Sequence, residues 1–371
     1  MKFENINIGA ERKRVLIAPL DWGLGHATRC IPIIYALIAL NFEVIIAADG
    51  LTKNLLQNEF KNVVFTQIIR YNIKYSANKF WLPLTLLLQF PKLLRVIFKE
   101  HYWLDKTITK YKIDAVISDN RLGLYSSKVP CVYITHQLQI KTGNNFTELL
   151  AKKIHYFFIN KYAACWVPDT AAENNLAGEL SHPNKLPQAP VKYLGPLSRF
   201  EKIAIEKKYD LLILLSGPEP QRTIFETLLL QELKSFSGKV AMVKGIPKNS
   251  AEEGFVYDDK NKIAVANHLS ATSLSKIIQQ SEMVICRSGY TSIMDLIKLQ
   301  QKAILIATPG QTEQEYLAAY LMEKKIFLST PQNNFSLTDA LKKASGFSFE
   351  NAFNYGNEYK NILQEFAKQL K

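Results

Sequence analysis

The sequence predicts an α/β chain of two domains built on parallel sheets, and three observations carry that reading. Residues 283–286 form a short apolar run that ends in Ser288-Gly289. Thr291 and Ser292 then open a helical pattern whose apolar face is Ile293, Met294, Leu296, Ile297 and Leu299. A second apolar strand at 303–307 stops at Thr308-Pro309-Gly310, and another helix begins at Thr312. Strand, turn, helix, twice over, is the signature of a parallel sheet. The same order recurs at the other end of the chain, from residue 15 to residue 48. Finally, 371 residues exceed one ordinary domain, and a hydrophobic fraction of 47% supports sizeable cores.

In chain order, residues 15–20 are the first strand. It runs into Asp21-Trp22-Gly23-Leu24-Gly25-His26-Ala27-Thr28-Arg29 and then into a helix through Ile31, Ile34, Leu37, Ile38 and Leu40. The second strand, 42–48, ends at Asp49. Gly23 and Gly25 permit a tight turn and close backbone approach to a ligand. The loop is nearly G-x-G-x-x-G, with Thr28 at the third glycine, and Asp49 stands where a dinucleotide fold keeps its ribose acid. An NAD-dependent oxidoreductase is therefore a live reading. His26 argues for a different chemistry, because a dinucleotide loop needs no imidazole and histidine is the natural general base near neutral pH. The same histidine could equally serve only to hydrogen-bond its own loop.

Further strands are expected at 62–68, 113–118, 131–135 and 165–168. Two end in polar groups, Ser118-Asp119-Asn120-Arg121 and Thr135-His136-Gln137. Carboxyl ends of parallel strands open onto one rim, which places these residues beside His26. Asp119 could be the base instead, or an ion partner for Arg121, and His136 could bind an acceptor. Loop hydrogen bonding is the alternative for each.

Residues 79–103 are dense in leucine and aromatics, broken by Pro83 and Pro91, and studded with Lys92, Arg95 and Lys99. Such a basic, aromatic stretch is suited to the interface of an anionic membrane, and residues 149–162 are a second candidate. An ordinary buried helix pair is the competing expectation.

A charged, irregular stretch with Glu201, Lys202, Glu206, Lys207 and Lys208 marks the domain boundary, near 200–208. The strand at 211–215 ends in Ser216-Gly217-Pro218-Glu219-Pro220-Gln221-Arg222. Ser216, Gly217 and Arg222 could meet a diphosphate through backbone N–H groups and a bidentate guanidinium. Strands follow at 239–244 and 262–266, the latter ending in Asn267-His268-Leu269. Ser288 and Gly289 let backbone N–H groups approach an anion at a helix start. Asp295 could accept from two ribose hydroxyls, and Gln311, Gln314 and Glu315 crowd the next helix start. Ser292-x-x-Asp295 and Thr312-x-x-Glu315 also have capping-box spacing. Residues 357–371 read as an amphipathic helix.

The formal charge of +13 suits an anionic partner, a membrane surface or a nucleotide. No zinc-finger, RRM or basic-helix pattern supports nucleic acid. The four cysteines are scattered through apolar runs, with no metal-ligand spacing and no disulfide framework, so a reducing cytoplasm is expected. Residues 1–14 are polar and show no signal peptide, and no stretch reaches the roughly 18 apolar residues of a membrane span.

Arg287-Ser288-Gly289, the acid at Asp295, and Pro309-Gly310 followed by Gln314-Glu315-Tyr316 resemble the C-terminal donor-binding domain of family 28 glycosyltransferases. That family includes the N-acetylglucosaminyltransferase that forms lipid II in peptidoglycan assembly. The resemblance implies the GT-B fold, two Rossmann-like doubly wound domains facing a cleft. Residues 1–204 would be the acceptor domain and 205–350 the donor domain, with 351–371 packing back on the first. It implies a nucleotide diphosphate sugar, UDP-linked by family default, held by Ser216, Gly217, Arg222, Arg287, Ser288, Gly289, Thr291, Asp295, Gln311, Gln314 and Glu315. His268 and Leu269 would lie at the base. Pro218 and Pro220 depart from the family's glycine-rich donor loop, since each removes a backbone donor. On the acceptor side the implied residues are Gly23, Gly25 and His136, with His26 and Asp119 catalytic. The acceptor would be a glycan or lipid-linked hydroxyl, on the inner face of the cell membrane. No cofactor is implied, and the lack of an Asp-x-Asp motif points to metal independence. A nucleotide-sugar hydrolase or epimerase of the same fold, an NAD enzyme, and a non-catalytic membrane-surface protein are the rival readings.

Overall fold

A computed structural model describes residues 12–71, 82–246, 254–350, 356 and 358–370. The first half contains β1 (Arg14–Pro19), α1 (Gly25–Ala39), β2 (Glu43–Ala47), α2 (Gly50–Glu59), β3 (Val64–Thr66), α3 (Leu82–Tyr111), β4 (Ala115–Asp119), β5 (Cys131–Ile134), α4 (Asn145–Ile159), β6 (Ala164–Val167) and β7 (Val191–Tyr193). The second contains β8 (Tyr209–Leu214), α5 (Gln221–Glu232), β9 (Val240–Val243), β10 (Val256–Asp258), β11 (Ile263–Ala266), α6 (Ala271–Gln279), β12 (Ser281–Cys286), α7 (Tyr290–Lys298), β13 (Ala303–Leu305), α8 (Thr312–Glu323), β14 (Leu328–Ser329), α9 (Leu337–Ser345) and α10 (Glu358–Gln369).

These strands make two sheets, ordered β3-β2-β1-β4-β5-β6-β7 and β10-β11-β9-β8-β12-β13-β14. Every pairing is parallel except that of the edge strand β10, which runs antiparallel to β11. Helices cover both faces, so inner strands are buried on both sides and read as continuous apolar runs. All five residues of β4 are buried, as are the last five of β1. This is the two-domain GT-B arrangement. The sequence pattern did not show β10 or β14, which are only three and two residues long.

With the antiparallel edge strand β10 left aside, the strand order of each sheet reverses once, between β1 and β4 and between β8 and β12. Ligands of doubly wound sheets bind at that switch point, outside the carboxyl ends of the strands. Register puts Pro19 beside Asp119 in the first sheet and Leu214 beside Cys286 in the second. The loops leading to His26, to Ser216 and to Ser288 therefore all emerge at a switch point.

α3 corrects one expectation. It runs unbroken through Pro91 rather than being interrupted there. Pro91 lies on the exposed side, and the opposite face buries Val96, Ile97, Leu104 and Ile108. The cost of one missing N–H is thus offset by a long packed seam. α10 returns to the first sheet, where Phe366 meets Trp166 edge-on at 5.3 Å and Glu365 pairs with Lys192 at 2.7 Å.

Candidate active site

The site starts at the first turn of α1. His26 and Arg29 are three residues apart, so they share one face of the helix. Both point at Asp119, the last residue of β4. Arg29 donates from Nε to Asp119 Oδ2 at 2.9 Å and also from Nη2 to Oδ1. His26 Nδ1 lies 3.2 Å from Asp119 Oδ2 and 2.8 Å from Arg29 Nη2. The two partners ask for opposite tautomers. Arginine can only donate and needs a lone pair on Nδ1, whereas the carboxylate only accepts and needs a proton there. The second arrangement leaves Nε2 bare and able to take a proton, and the imidazolium that results keeps its Nδ1–H on Asp119.

The electrostatics separate the two candidate bases. Burial, then Arg29, hold His26 below its ordinary value, against the pull of Asp119, so the imidazole is neutral near pH 7. Burial alone would raise the Asp119 carboxyl, but Arg29 and His26 outweigh it and hold it at about 2. Asp119 is also fully buried, with its oxygens engaged by Arg29 and His26. It stands behind His26, away from the cleft. It is not the partner of Arg121. That guanidinium turns to the other side of β4, pairing with Glu100 of α3 at 2.6 Å and reaching Asp21 at 3.3 Å.

His136, after β5, joins from the rim, its Nδ1 lying 3.2 Å from Arg29 Nη1. Its other nitrogen crosses to the second domain, where Nε2 is 2.8 Å from Glu313 Oε1 of α8. Its ring lies flat on Tyr290, the first residue of α7, with centroids 4.2 Å apart and planes 4° off parallel. Tyr290 in turn donates to Pro168 O at 2.8 Å. Thr291 Oγ1 reaches Gly25 O at 3.3 Å. A Cβ at Gly25 would sit 2.8 Å from that hydroxyl, so the close approach of α7 to the α1 loop requires glycine. Gly23 is needed for its backbone, at φ +84°.

The structure thus brings His26, Asp119, His136, Gly25 and Thr291 together. Arg29 and Glu313 belong to the same cluster and were not singled out in the sequence. Arg29 could have been found from its spacing to His26, whereas Glu313 leaves no local signal.

Among the donor-side residues, Ser288 Oγ donates to Gln314 O at 2.8 Å, joining the starts of α7 and α8. Gln314 accepts from Thr308 N–H at 2.9 Å and donates to Gln311. Glu315 accepts from Gly310 N–H at 2.8 Å. This carboxylate serves the turn before the helix, and the N-cap is Gln311, not Thr312. The other capping box does not form either. The N-cap of α7 is Gly289, and Asp295 instead accepts from Ser198 Oγ at 2.5 Å. Burial pushes the Asp295 carboxyl up to about 6. Arg287 is 1% exposed and points inward, stacked 4.0 Å over Phe225 and donating to Ala307 O at 3.1 Å. Arg222 is held by Glu219 and, at 2.8 Å, by Glu226. Ser216 and Gly217 lie exposed past the end of β8, with Gly217 at φ +100°. His268 and Leu269 follow β11, and Leu269 is buried.

The two basic, aromatic segments also meet. Residues 79–81 lie outside the described residues. Leu93, Leu94 and Ile97 of α3 pack with Ile154 and Phe158 of α4. Outside this seam, Phe98 and Tyr102 are 63% and 66% exposed, beside exposed Lys92, Lys99 and Lys106. α4 exposes Phe146, Leu149, Leu150 and Phe157 along one stripe. A shallow groove of about 500 Å³ is lined by Ile69, Phe98, Lys99, Tyr102, Trp103 and Lys106. The pair is therefore buried on one side and apolar on the other. No helix among the described residues is long and apolar enough to cross a membrane.

Residues 227–370 match the glycosyltransferase family 28 C-terminal domain. An uncharacterized glycosyltransferase of Methanosarcina acetivorans is 25% identical over 344 residues, covering 84% of each chain. Solved structures share the fold. A spinosyn rhamnosyltransferase, SpnG, complexed with thymidine diphosphate superposes with a TM-score of 0.59 at 13% identity, covering 96% of both chains. The calicheamicin glycosyltransferase CalG4 gives 0.60 at 11% identity, over 97% of this chain and 95% of that one. MurG of Acinetobacter baumannii gives 0.51 at 13% identity, over 96% and 95%.

Proposed function

We propose that this chain, a family 28-like glycosyltransferase of the GT-B fold, moves a sugar from a nucleoside diphosphate sugar to an acceptor hydroxyl with inversion. One observation carries the reading. The His26–Asp119–Arg29 cluster, at the switch point of the first sheet, faces the start of α7, at the switch point of the second, across the Thr291–Gly25 contact. A neutral imidazole thus faces a helix start whose N–H groups are suited to an anion, which supports the reading.

In this mechanism His26 Nε2 accepts the proton of the acceptor hydroxyl, and Asp119 orients the ring and stabilises the imidazolium. The acceptor oxygen attacks the anomeric carbon from the face opposite the diphosphate. The bond from that carbon to the diphosphate oxygen breaks, and a single displacement inverts the centre. Negative charge developing on the diphosphate meets backbone N–H groups at Ser288-Gly289 and at Ser216-Gly217. Arg222 is already engaged by two carboxylates, so these backbone groups carry the larger share. SpnG was solved with thymidine diphosphate, which supports the donor class without choosing the base.

The test is thermal stabilisation by UDP, GDP, CDP, dTDP and NAD. A ligand that binds only the native state stabilises by about 2.7 kcal/mol at a hundredfold excess over its dissociation constant. A shift with one nucleoside diphosphate is the expected result, and a shift with NAD alone would overturn the reading. Asp295→Ala is expected to weaken the responding nucleotide about tenfold, the worth of roughly one charge-assisted hydrogen bond to a ribose hydroxyl.

The acceptor is proposed to be lipid-linked, reached at the cytoplasmic face of a membrane. The support is the α3–α4 outer face, where Phe98, Tyr102 and Phe157 stand among lysines. Sedimentation with vesicles containing phosphatidylglycerol is expected, with none for pure phosphatidylcholine. Replacing Phe98 and Tyr102 by serine should release the protein. Equal binding by that variant would remove this part of the proposal.

A further inference from the structure

The catalytic pair lies wholly in the first domain, yet one residue that braces it comes from the second. Arg29 can only donate, and among the described residues no carboxylate competes for the His136 nitrogen 3.2 Å away as Asp119 does for Nδ1 of His26, so that nitrogen presents a lone pair. The proton of His136 therefore sits on Nε2, and Nε2–H donates to Glu313 Oε1 at 2.8 Å. Tyr290 lies parallel to the ring at 4.2 Å and limits its rotation. Two restraints on His136 are thus delivered by the donor domain, one from α8 and one from α7, beside the contact to Arg29 in its own domain.

We propose that Glu313 is a positioning residue for the reaction, which completes the chain Glu313–His136–Arg29–Asp119–His26 when the donor domain is seated and so couples cleft closure to the base. This rests on the reading of His26 as that base. Charge gives the device its direction. Arg29 carries +1 and Asp119 and Glu313 carry −1 each, a sum of −1 while the imidazoles are neutral. Proton uptake by His26 brings the cluster to zero. Without Glu313 the same step would build a net positive charge in a largely buried site. The charged and titratable groups facing this cluster are Arg29, Asp119, His136, Glu313 and Cys30. Burial would raise the Glu313 carboxyl, but His136, His26 and Arg29 outweigh it and keep it ionised. Its side chain is 35% exposed, so its field at His26 is partly screened.

The test is ring-nitrogen NMR of the full chain labelled at histidine, which needs no substrate. The His26 and His136 signals are assigned by single replacement. In the unmodified protein His136 should carry its proton on Nε2. Glu313→Gln keeps an acceptor oxygen but removes the charge, and should lower the midpoint of the His26 titration by roughly half a unit or more. Thr312→Val breaks an uncharged contact at the same helix start, Thr312 Oγ1 to Lys141 O at 2.6 Å, and should leave that midpoint unmoved. A proton on His136 Nδ1 would overturn the proposal. So would an unshifted His26 in Glu313→Gln, or an equal shift in Thr312→Val. Failure of the His26 reading would appear separately, as turnover retained by His26→Ala.

Discussion

His26→Ala should reduce glycosyl transfer by about 10²- to 10⁴-fold, the usual worth of a positioned general base, while nucleoside diphosphate still stabilises the fold as in the unmodified protein. The two halves of that expectation come from different sheets. His26 stands at the β1–α1 turn and meets the start of α7 indirectly, through its neighbour Gly25 and through Arg29 and His136. The groups proposed for the diphosphate, at Ser288-Gly289 and Ser216-Gly217, are set by β12 and β8. Removing an imidazole from the first domain leaves that backbone untouched. The pH profile gives a second signature. Because burial and Arg29 hold His26 below its ordinary value of 6.5, activity should rise with pH along an acid limb centred below 6.5 and stay high through neutrality. Turnover of His26→Ala within twofold of the parent, with the acid limb still present, would show that the base lies elsewhere.

Much of this arrangement was legible in the sequence, for a definite reason. Strands buried on both faces must be apolar throughout, so β1, β4, β5, β8 and β12 announce themselves. Their ends are marked because polar residues appear only where the chain leaves the sheet. That rule brought His26, Asp119 and His136 to one rim. It does not say which of two consecutive polar residues faces the cleft. Asp119 and Arg121 look like natural partners in sequence, but they leave opposite sides of β4. Arg121 pairs with Glu100, 21 residues earlier in the chain, while Asp119 takes Arg29, 90 residues earlier. Glu313 shows the same limit more strongly. Four acidic or amide side chains, Gln311, Glu313, Gln314 and Glu315, crowd the start of α8, and only docking of the domains selects Glu313 to meet His136, 177 residues away. Asp295 and Glu315 had capping-box spacing, but a spacing match cannot see Ser198 or the Gly310 turn.

Removal of Asp119 should be the most damaging single change to stability. Asp119→Ala leaves Arg29, only 2% exposed, as a buried cation facing two imidazoles and no carboxylate of its own domain. Breaking one side of a buried ion pair costs about 3–5 kcal/mol, and this pair is bidentate. The tryptophans offer a clean readout, since all four, at 22, 81, 103 and 166, lie in the first half of the chain. Urea unfolding followed by their fluorescence should show the loss, whereas the Asp119→Glu variant should lose less because a carboxylate remains. The dependence on pH separates this pair from other buried groups. Asp119 is held at about 2, below its ordinary 3.8, so its contribution is complete above 3.8 and fades as pH falls towards 2. Burial pushes His155 down to about 4, so the parent already loses stability as pH falls from 6.5 towards 4. That loss is common to the parent and the Asp119→Ala variant. The gap between the two proteins should therefore not close from neutral pH to about 4, Asp119 being ionised throughout, and should begin to close only below it. A gap that narrowed between pH 7 and 5 would mean that Asp119 takes up its proton there and is not held low by Arg29, whereas a gap that widened would report protonated His26 pairing with Asp119.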